Sequence, residues 1–266
     1  MEQAGFFWNG SQYAAANGIQ QSVRKQLLDS IAFREGMRVL DAGCGNGDLT
    51  FQLGERVPNG HVTGIDLSAS MIQACMEGLQ LRGEVPVEFR VEGIQQLTDE
   101  NEFDLVFSNS MLHWVTDLPD AARRFYRALK YGGSIAVQFP LLNERHPLVA
   151  YAGRAIRELG LQARYRDWRF PWYVPACAED FAEVLTRAGF RHVAVFPRSN
   201  RFPFHSPEEA FLHFQSVGLS LYTAPLSGEE PHTLMEQVKA DLRRDFPETV
   251  TLMYERLFAY GQKARE

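Results

Sequence analysis

Cysteine is scarce in this chain. Three residues, Cys44, Cys75 and Cys177, are scattered through 266 positions, and no pair has Cys-x-x-Cys spacing. That excludes a zinc knuckle and a disulfide framework, and it suits a reducing cytoplasm; no metal is expected. Positive charge is also short. The 27 Lys and Arg against 33 Asp and Glu leave a formal net charge of −6, whereas a general nucleic-acid footprint needs the opposite sign. No run approaches the roughly 20 apolar residues of a membrane span. The opening MEQAGFFWNGSQY has no basic stretch followed by an apolar one, so no secretory leader is expected. Repeats and low-complexity segments are missing. What remains is 45% hydrophobic and 23% charged, an ordinary globular composition of a length that suits one large domain.

The first half alternates between two patterns. MRVLDA (37–42), HVTGID (61–66), VEFRV (87–91), FDLVFSN (103–109) and SIAVQF (134–139) are short apolar runs, each expected as a buried parallel strand. Helical patterns lie between them, over Asp48 to Arg56, Ser68 to Gly78 with Ser68 as N-cap, and Pro119 to Leu129 with Gly132 and Gly133 past its end. This order predicts an α/β fold with a doubly wound, mostly parallel sheet. In the second half, FRHVAVFP (190–197) and RLFAYGQ (256–262) are further strands. Ser206 and Glu209 have capping-box spacing ahead of Phe211, Phe214 and Val217, and Leu234, Val238 and Leu242 mark an amphipathic helix. The expected organisation is a single domain. It has an N-terminal lid and helix (1–35), a core that binds a cofactor (36–140), and helical cover over 141–185 and 203–250, inserted in the last part of the sheet.

DAGCGNGDLT (41–50) carries the chemistry. A dinucleotide turn reads Gly-x-Gly-x-x-Gly and seats pyrophosphate on a helix N-terminus. Gly43 and Gly45 match, but Asp48 holds the third place and Asp41 precedes the turn. At an effective dielectric near 20, like charges about 4 Å apart repel by ~4 kcal/mol. The turn is therefore shaped for close approach of the backbone, yet set for a cationic or zwitterionic ligand. S-adenosylmethionine, with a sulfonium, an α-ammonium and no phosphate, is such a ligand. Asp66, 21 residues after Gly45, ends the second strand, where a carboxylate can accept both ribose hydroxyls. The blander alternative is a helix cap and loop with an unrelated aspartate.

From Val39 to about Phe139 the sequence resembles the class I S-adenosylmethionine-dependent methyltransferases. The residues that carry the likeness are VLDAGCGNG, VTGIDLSASMI, FDLVFSNSMLHWV and LKYGGSIAVQ. The resemblance implies a seven-stranded Rossmann-like sheet. It implies that Asp41, Gly43, Gly45 and Asn46 line the methionine end, that Asp66 holds the ribose, and that Leu67 and Met71 lie against the adenine. The backbone at Asn109 would face the cofactor's amino group. Gly93 stands where this family usually has an aspartate for the adenine amine, with Glu92 beside it, so the acceptor is expected among Glu92, Gly93 and the backbone at Ile94.

Two further stretches are similar to carboxylate-methylating enzymes. YAAANGIQ gives Tyr13, Asn17 and Gln20, and MLHWV gives His113 and Trp114, a combination like that of the juvenile-hormone acid methyltransferases. WNGSQY and the helical C-terminal half are similar to trans-aconitate methyltransferases, and the SN…W stretch to malonyl carrier-protein methyl ester synthases. The likeness implies that Gln20 and Trp114 hydrogen-bond the substrate carboxylate, with Tyr13 and Gln20 also near the cofactor. A carboxylate is already ionised at neutral pH and needs orientation, whereas a hydroxyl or amine needs a base. The expected reaction is methyl-ester formation on a small or acyl-chain acid, free or carrier-bound. One alternative is methylation of a hydroxyl or amine with His113 as base; another is a catalytically silent binding protein. Trp114 as a core aromatic and Gln20 as a surface residue remain the plain structural readings. Arg145, Arg154, Arg157, Arg164, Arg166 and Arg169 form a local basic excess that would either attract an acidic substrate or be a solvated helix face.

Overall fold

A computed structural model gives the fold and describes residues 23–170, 175 and 177–265. Seven strands form one sheet: β1 (Arg38–Ala42), β2 (His61–Asp66), β3 (Val87–Val91), β4 (Phe103–Asn109), β5 (Leu129–Pro140), β6 (Arg191–Phe204) and β7 (Val250–Gln262). Their order is β3-β2-β1-β4-β5-β7-β6. β1 to β5 run parallel, and β7 is antiparallel to β5. The chain divides into two compact units. The first holds the described residues of 24–141, 172–198 and 256–265, and the second those of 142–171 and 199–255 with residue 23.

In the first unit, the apolar runs of β1, β4 and β5 are buried on both faces because helices cover both sides. These helices include α1 (residues 23–29), α2 (Asp48–Arg56), α3 (Ala69–Arg82), α4 (Leu118–Ala128) and α6 (Ala178–Arg187). Local chemistry fixes their starts. The Ser68 hydroxyl accepts the Met71 N–H at the head of α3, and the Asp117 carboxylate accepts the Asp120 N–H ahead of α4. Leu40, Val106, Phe125, Ile135, Phe139 and Phe181 belong to one buried cluster.

The second unit contains α5 (Pro147–Glu158), α7 (Pro207–Ser216) and α8 (Glu230–Asp245). Leu234, Val238 and Leu242 are fully buried along one stripe of α8, as their spacing predicts. Ser206 caps α7 through the Glu209 N–H, but Glu209 reaches back to the N–H of His205 rather than to that of Ser206.

The structure bears on three expectations from the sequence. Gly132 and Gly133 do lie past the end of α4, which stops at Ala128, but they fall inside β5, where Gly132 has φ +78° and the register against β4 shifts. The last two strands are longer than their apolar runs, because β6 continues to Phe204 and β7 begins at Val250. Sheet pairing extends them through residues that no apolar pattern marks. Two of the six arginines in the basic excess over 143–170 form ion pairs within the second unit. Arg154 pairs with Asp241 and Asp245, and Arg164 with Glu230.

Candidate active site

The parallel register lines up the carboxyl ends of the strands. Ala42 pairs with Ile65, Asp66 with Val91, and Asn109 with Gln138. Pro140 pairs with Arg256, which carries the same edge onto β7. In the strand order, the reversal of direction falls between β1 and β4, and ligands of open α/β sheets sit outside the strand ends at such a switch point. Asp41, the glycine turn, Asp66 and Asn109 all lie there.

The turn itself explains why it is acidic. Gly43 and Cys44 donate their N–H groups to the Ile65 carbonyl at 2.8 and 3.0 Å, and Gly47 donates to Cys44 at 3.1 Å. Gly45 donates to Asp66 Oδ2 at 3.0 Å. The donors that would cradle a phosphate in a nucleotide turn are therefore already spent inside the protein. Gly43 has φ +79°, and a Cβ there would meet the Met111 side chain at 2.2 Å; Gly45 has φ +55°, and a Cβ there would meet no atom of the described residues within 4 Å. The first glycine is needed for packing and the second leaves room.

The two acids flanking the glycines in the sequence have different fates. Asp48 is exposed at the start of α2 and accepts from the Asn46 amide, as suits an acid at a helix N-terminus. Asp41 is 1% exposed and, among the described residues, accepts only the Thr50 hydroxyl, at 2.7 Å. Burial pushes its carboxyl up to about 7; the Thr50 bond opposes this and the nearby Asp66 charge adds to it. Asp66 is half-buried and also accepts the Ser68 N–H at 2.9 Å. Cys44 is no nucleophile: a hydrogen bond with Cys75 and its burial hold the thiol well above the ordinary range.

Beyond Asp66, Leu67 is 63% exposed and Val91 56% exposed, an unusual pair of bare apolar side chains at strand ends. Met71 is half-buried on the first turn of α3. Glu92 donates its N–H to the Asp66 carbonyl, and burial raises its carboxyl. Gly93 donates to Gln96 Oε1 at 2.8 Å, a Cβ on it would sit 3.2 Å from Leu67, and buried Ile94 opens the short turn that follows.

On the other side of Asp41, the chain leaves β4 through Ser110, which has φ +59°, into a short turn at Leu112–Trp114. His113 is buried and Trp114 half-buried, their rings 5.1 Å apart. Asn109 and Ser110 join a buried polar cluster that sequence reasoning missed. Gln138, fully buried on β5, donates to Asn109 Oδ1 and Ser110 Oγ and accepts from Arg256 Nε at 2.6 Å; Arg256 Nη2 also donates to Ser110 Oγ. Gln138 and Arg256 sit in apolar-looking strands 118 residues apart, and only the pairing of β5 with β7 brings them together. Tyr13 and Gln20 lie outside the described residues. Among the described residues, no three His, Cys, Asp or Glu side chains gather as a metal cage, and no helix is long and apolar enough to cross a membrane.

Comparison with known proteins gives the family. A family described as "Methyltransferase domain" matches residues 33–159. The trans-aconitate 2-methyltransferase of Deinococcus radiodurans is 31% identical over 249 residues, covering 90% of this chain and 92% of that protein. The chain belongs to the S-adenosylmethionine-dependent methyltransferases. A malonyl-[acyl-carrier protein] O-methyltransferase of Priestia megaterium is 30% identical over 46% of this chain and 45% of its own length. The solved phosphoethanolamine N-methyltransferase 2 of Haemonchus contortus superposes with a TM-score of 0.58 at 21% identity, over 92% of this chain and 53% of that one; this likeness is one of fold.

The cofactor of this methyltransferase is S-adenosylmethionine, and the residues at the strand edge fit it. The room beside Gly45, the bare Leu67 and the buried carboxyl of Asp41 would offer such a ligand space, an apolar face and an acid beside its cationic end. A phosphate-bearing cofactor fits poorly, because the turn's N–H groups are used and two carboxylates stand nearby.

Proposed function

We propose that this methyltransferase esterifies the carboxylate of a small or acyl-chain acid. The observation that carries the reading is the likeness, along nearly the whole chain, to a protein named for methylating trans-aconitate. S-adenosylmethionine supplies a methyl group on a sulfonium, already activated for displacement, so the protein's task is alignment and exclusion of water. In this reading Asp66 anchors the ribose through the remaining lone pairs on its two oxygens, each of which already accepts one backbone N–H, from Gly45 or from Ser68. Asp41 faces the cationic end and loses its proton when that charge arrives. Leu67 and Met71 lie against the adenine, with Glu92, Gly93 and Ile94 at its amine. Asn109 meets the amino group through its backbone.

The acceptor needs donors rather than a base. The Trp114 indole N–H and the Gln20 amide are such groups, and they are assigned here to the acceptor carboxylate, with Tyr13 beside the cofactor. His113 then packs on Trp114 and takes no proton. The test is direct. The protein is incubated with labelled S-adenosylmethionine and a panel of mono-, di- and tricarboxylic acids, and the products are treated with mild alkali. The expected label is released as methanol. A product whose label survives alkali, such as a methylamine or a methyl ether, refutes the ester reading and brings His113 back as a base.

A further inference from the structure

Arg256 has no place in the cofactor site or in the acceptor contacts assigned so far, yet its placement is costly. It is 7% exposed, and no carboxylate lies within 4 Å of its guanidinium among the described residues. A buried cation is normally paired, because removing it from water without an opposite charge is expensive. Burial lowers its pKa to about 10, which leaves it protonated at neutral pH. Among the described residues, nothing of opposite charge pairs with this cation at the strand edge that carries Asn109 and Ser110.

The hydrogen bonds around it have one polarity. An arginine has five N–H groups and can only donate. Nε is spent on Gln138 Oε1 and one Nη2 proton on Ser110 Oγ; two protons on Nη1 and one on Nη2 have no partner among the described residues. Because Arg256 faces Gln138 Oε1, the amide orientation is fixed, and both Nε2 protons go to Asn109 and Ser110. Ser110 Oγ thus accepts two hydrogen bonds, so its own proton is free to be donated. The protons left over in this cluster, on Arg256 and Ser110, point to one kind of ligand: an anion with two oxygens, for which the Nη1–Nη2 edge offers the bidentate fork.

We propose that Arg256, with Ser110 beside it, pairs with a carboxylate of the acceptor other than the one that is methylated. This rests on the acid-acceptor reading above. The distinction between the two carboxylates follows from chemistry. A guanidinium clamped on the attacking carboxylate would draw charge from its nucleophilic oxygen, whereas one clamped on a second carboxylate holds the substrate in register and leaves the nucleophile intact. Arg256 is then a specificity residue that favours acids with a second anionic group over monoacids.

The test uses trans-aconitate and its neutral trimethyl ester as probes, titrated by calorimetry into the full-length protein loaded with S-adenosylhomocysteine. Wild type should bind the acid at least tenfold more tightly than the ester. Arg256→Gln should lower that preference severalfold, leaving the part due to the attacked carboxylate's own contacts. Arg256→Lys, which keeps charge but not the fork, should retain part of it, and all variants should bind S-adenosylhomocysteine as wild type does. In turnover, the change should appear as a raised KM for the acid with kcat nearly unchanged. If Arg256→Gln does not fold, Ser110→Ala decides, with an expected three- to tenfold loss of acid affinity. The proposal is overturned if wild type does not discriminate acid from ester, if Arg256→Gln or Ser110→Ala binds the acid as wild type does, or if Lys restores nothing over Gln. An alkali-labile product with unchanged binding in the variants refutes Arg256 alone; an alkali-stable product removes the acid-acceptor reading and Arg256 with it.

Discussion

Asp41 should make cofactor binding depend on pH in a way that an ordinary aspartate cannot. In the free protein its carboxyl titrates near 7 because it is buried beside Asp66 with a single hydroxyl partner. A ligand that brings a fixed positive charge to Asp41 requires the ionised form. Its apparent affinity should therefore be level above pH 8 and fall toward acid. At pH 5.5 only a few per cent of Asp41 is ionised, so the dissociation constant should rise ~30-fold, or ~2 kcal/mol. Binding near pH 6 should release close to one proton. The same group acts on stability with the opposite trend. The folded carboxyl keeps its proton up to about pH 7, while the unfolded one loses it near pH 4. Between those values the folded state holds more protons, so stability falls as pH rises, by ~4 kcal/mol in total from this residue. Asp41→Asn removes both effects. It should flatten the pH dependence of stability in that window and, at pH 8, bind S-adenosylmethionine more weakly than wild type while unfolding at a higher temperature. The assay is calorimetry of S-adenosylmethionine binding from pH 5.5 to 8.5 in buffers of different ionisation enthalpy, paired with denaturant unfolding of the free protein. Equal affinity at pH 5.5 and 8, with no proton release, would refute the assignment of Asp41 to the cationic end.

Three further outcomes are expected. With saturating cofactor, single-turnover methylation should be flat from about pH 6 to 8, since a carboxylate acceptor is fully ionised there; a tenfold rise per pH unit that His113→Ala abolishes would mean a protonated acceptor. Asp66→Ala should weaken S-adenosylmethionine binding by ~1.5–3 kcal/mol, the range for hydrogen bonds to a charged group, and an unchanged calorimetric affinity would remove Asp66 from the ribose. Gly43→Ala should destabilise the fold by well over the ~1–2 kcal/mol of a left-handed residue, because its Cβ would overlap Met111, whereas Gly45→Ala should cost only about that left-handed penalty; equal melting temperatures for the two variants would contradict the packing at the turn.

The sequence by itself determined the order of the parallel strands and the acidic glycine turn at their edge. Short apolar runs separated by amphipathic ones fit parallel strands under helices, so β2, β3 and β4 begin and end where their patterns do, although β3, at the sheet edge, buries only Val87. The acidic glycine turn was equally legible, because its chemistry is local: three glycines and two aspartates within eight residues, followed at a fixed distance by Asp66. What the pattern could not give was which aspartate matters. Asp41 and Asp48 look alike in sequence. Only the burial of one under Thr50 and the exposure of the other at a helix start separate a titrating group from a helix-end charge. The long strands β6 and β7 were underestimated because their outer residues are held by sheet pairing rather than by apolar content. Arg256 was invisible for the same reason. An arginine inside an apolar run carries no local sign of its partners, and its link to Gln138 and Ser110 exists only because β7 turns back antiparallel against β5 and sets residues more than a hundred positions apart side by side.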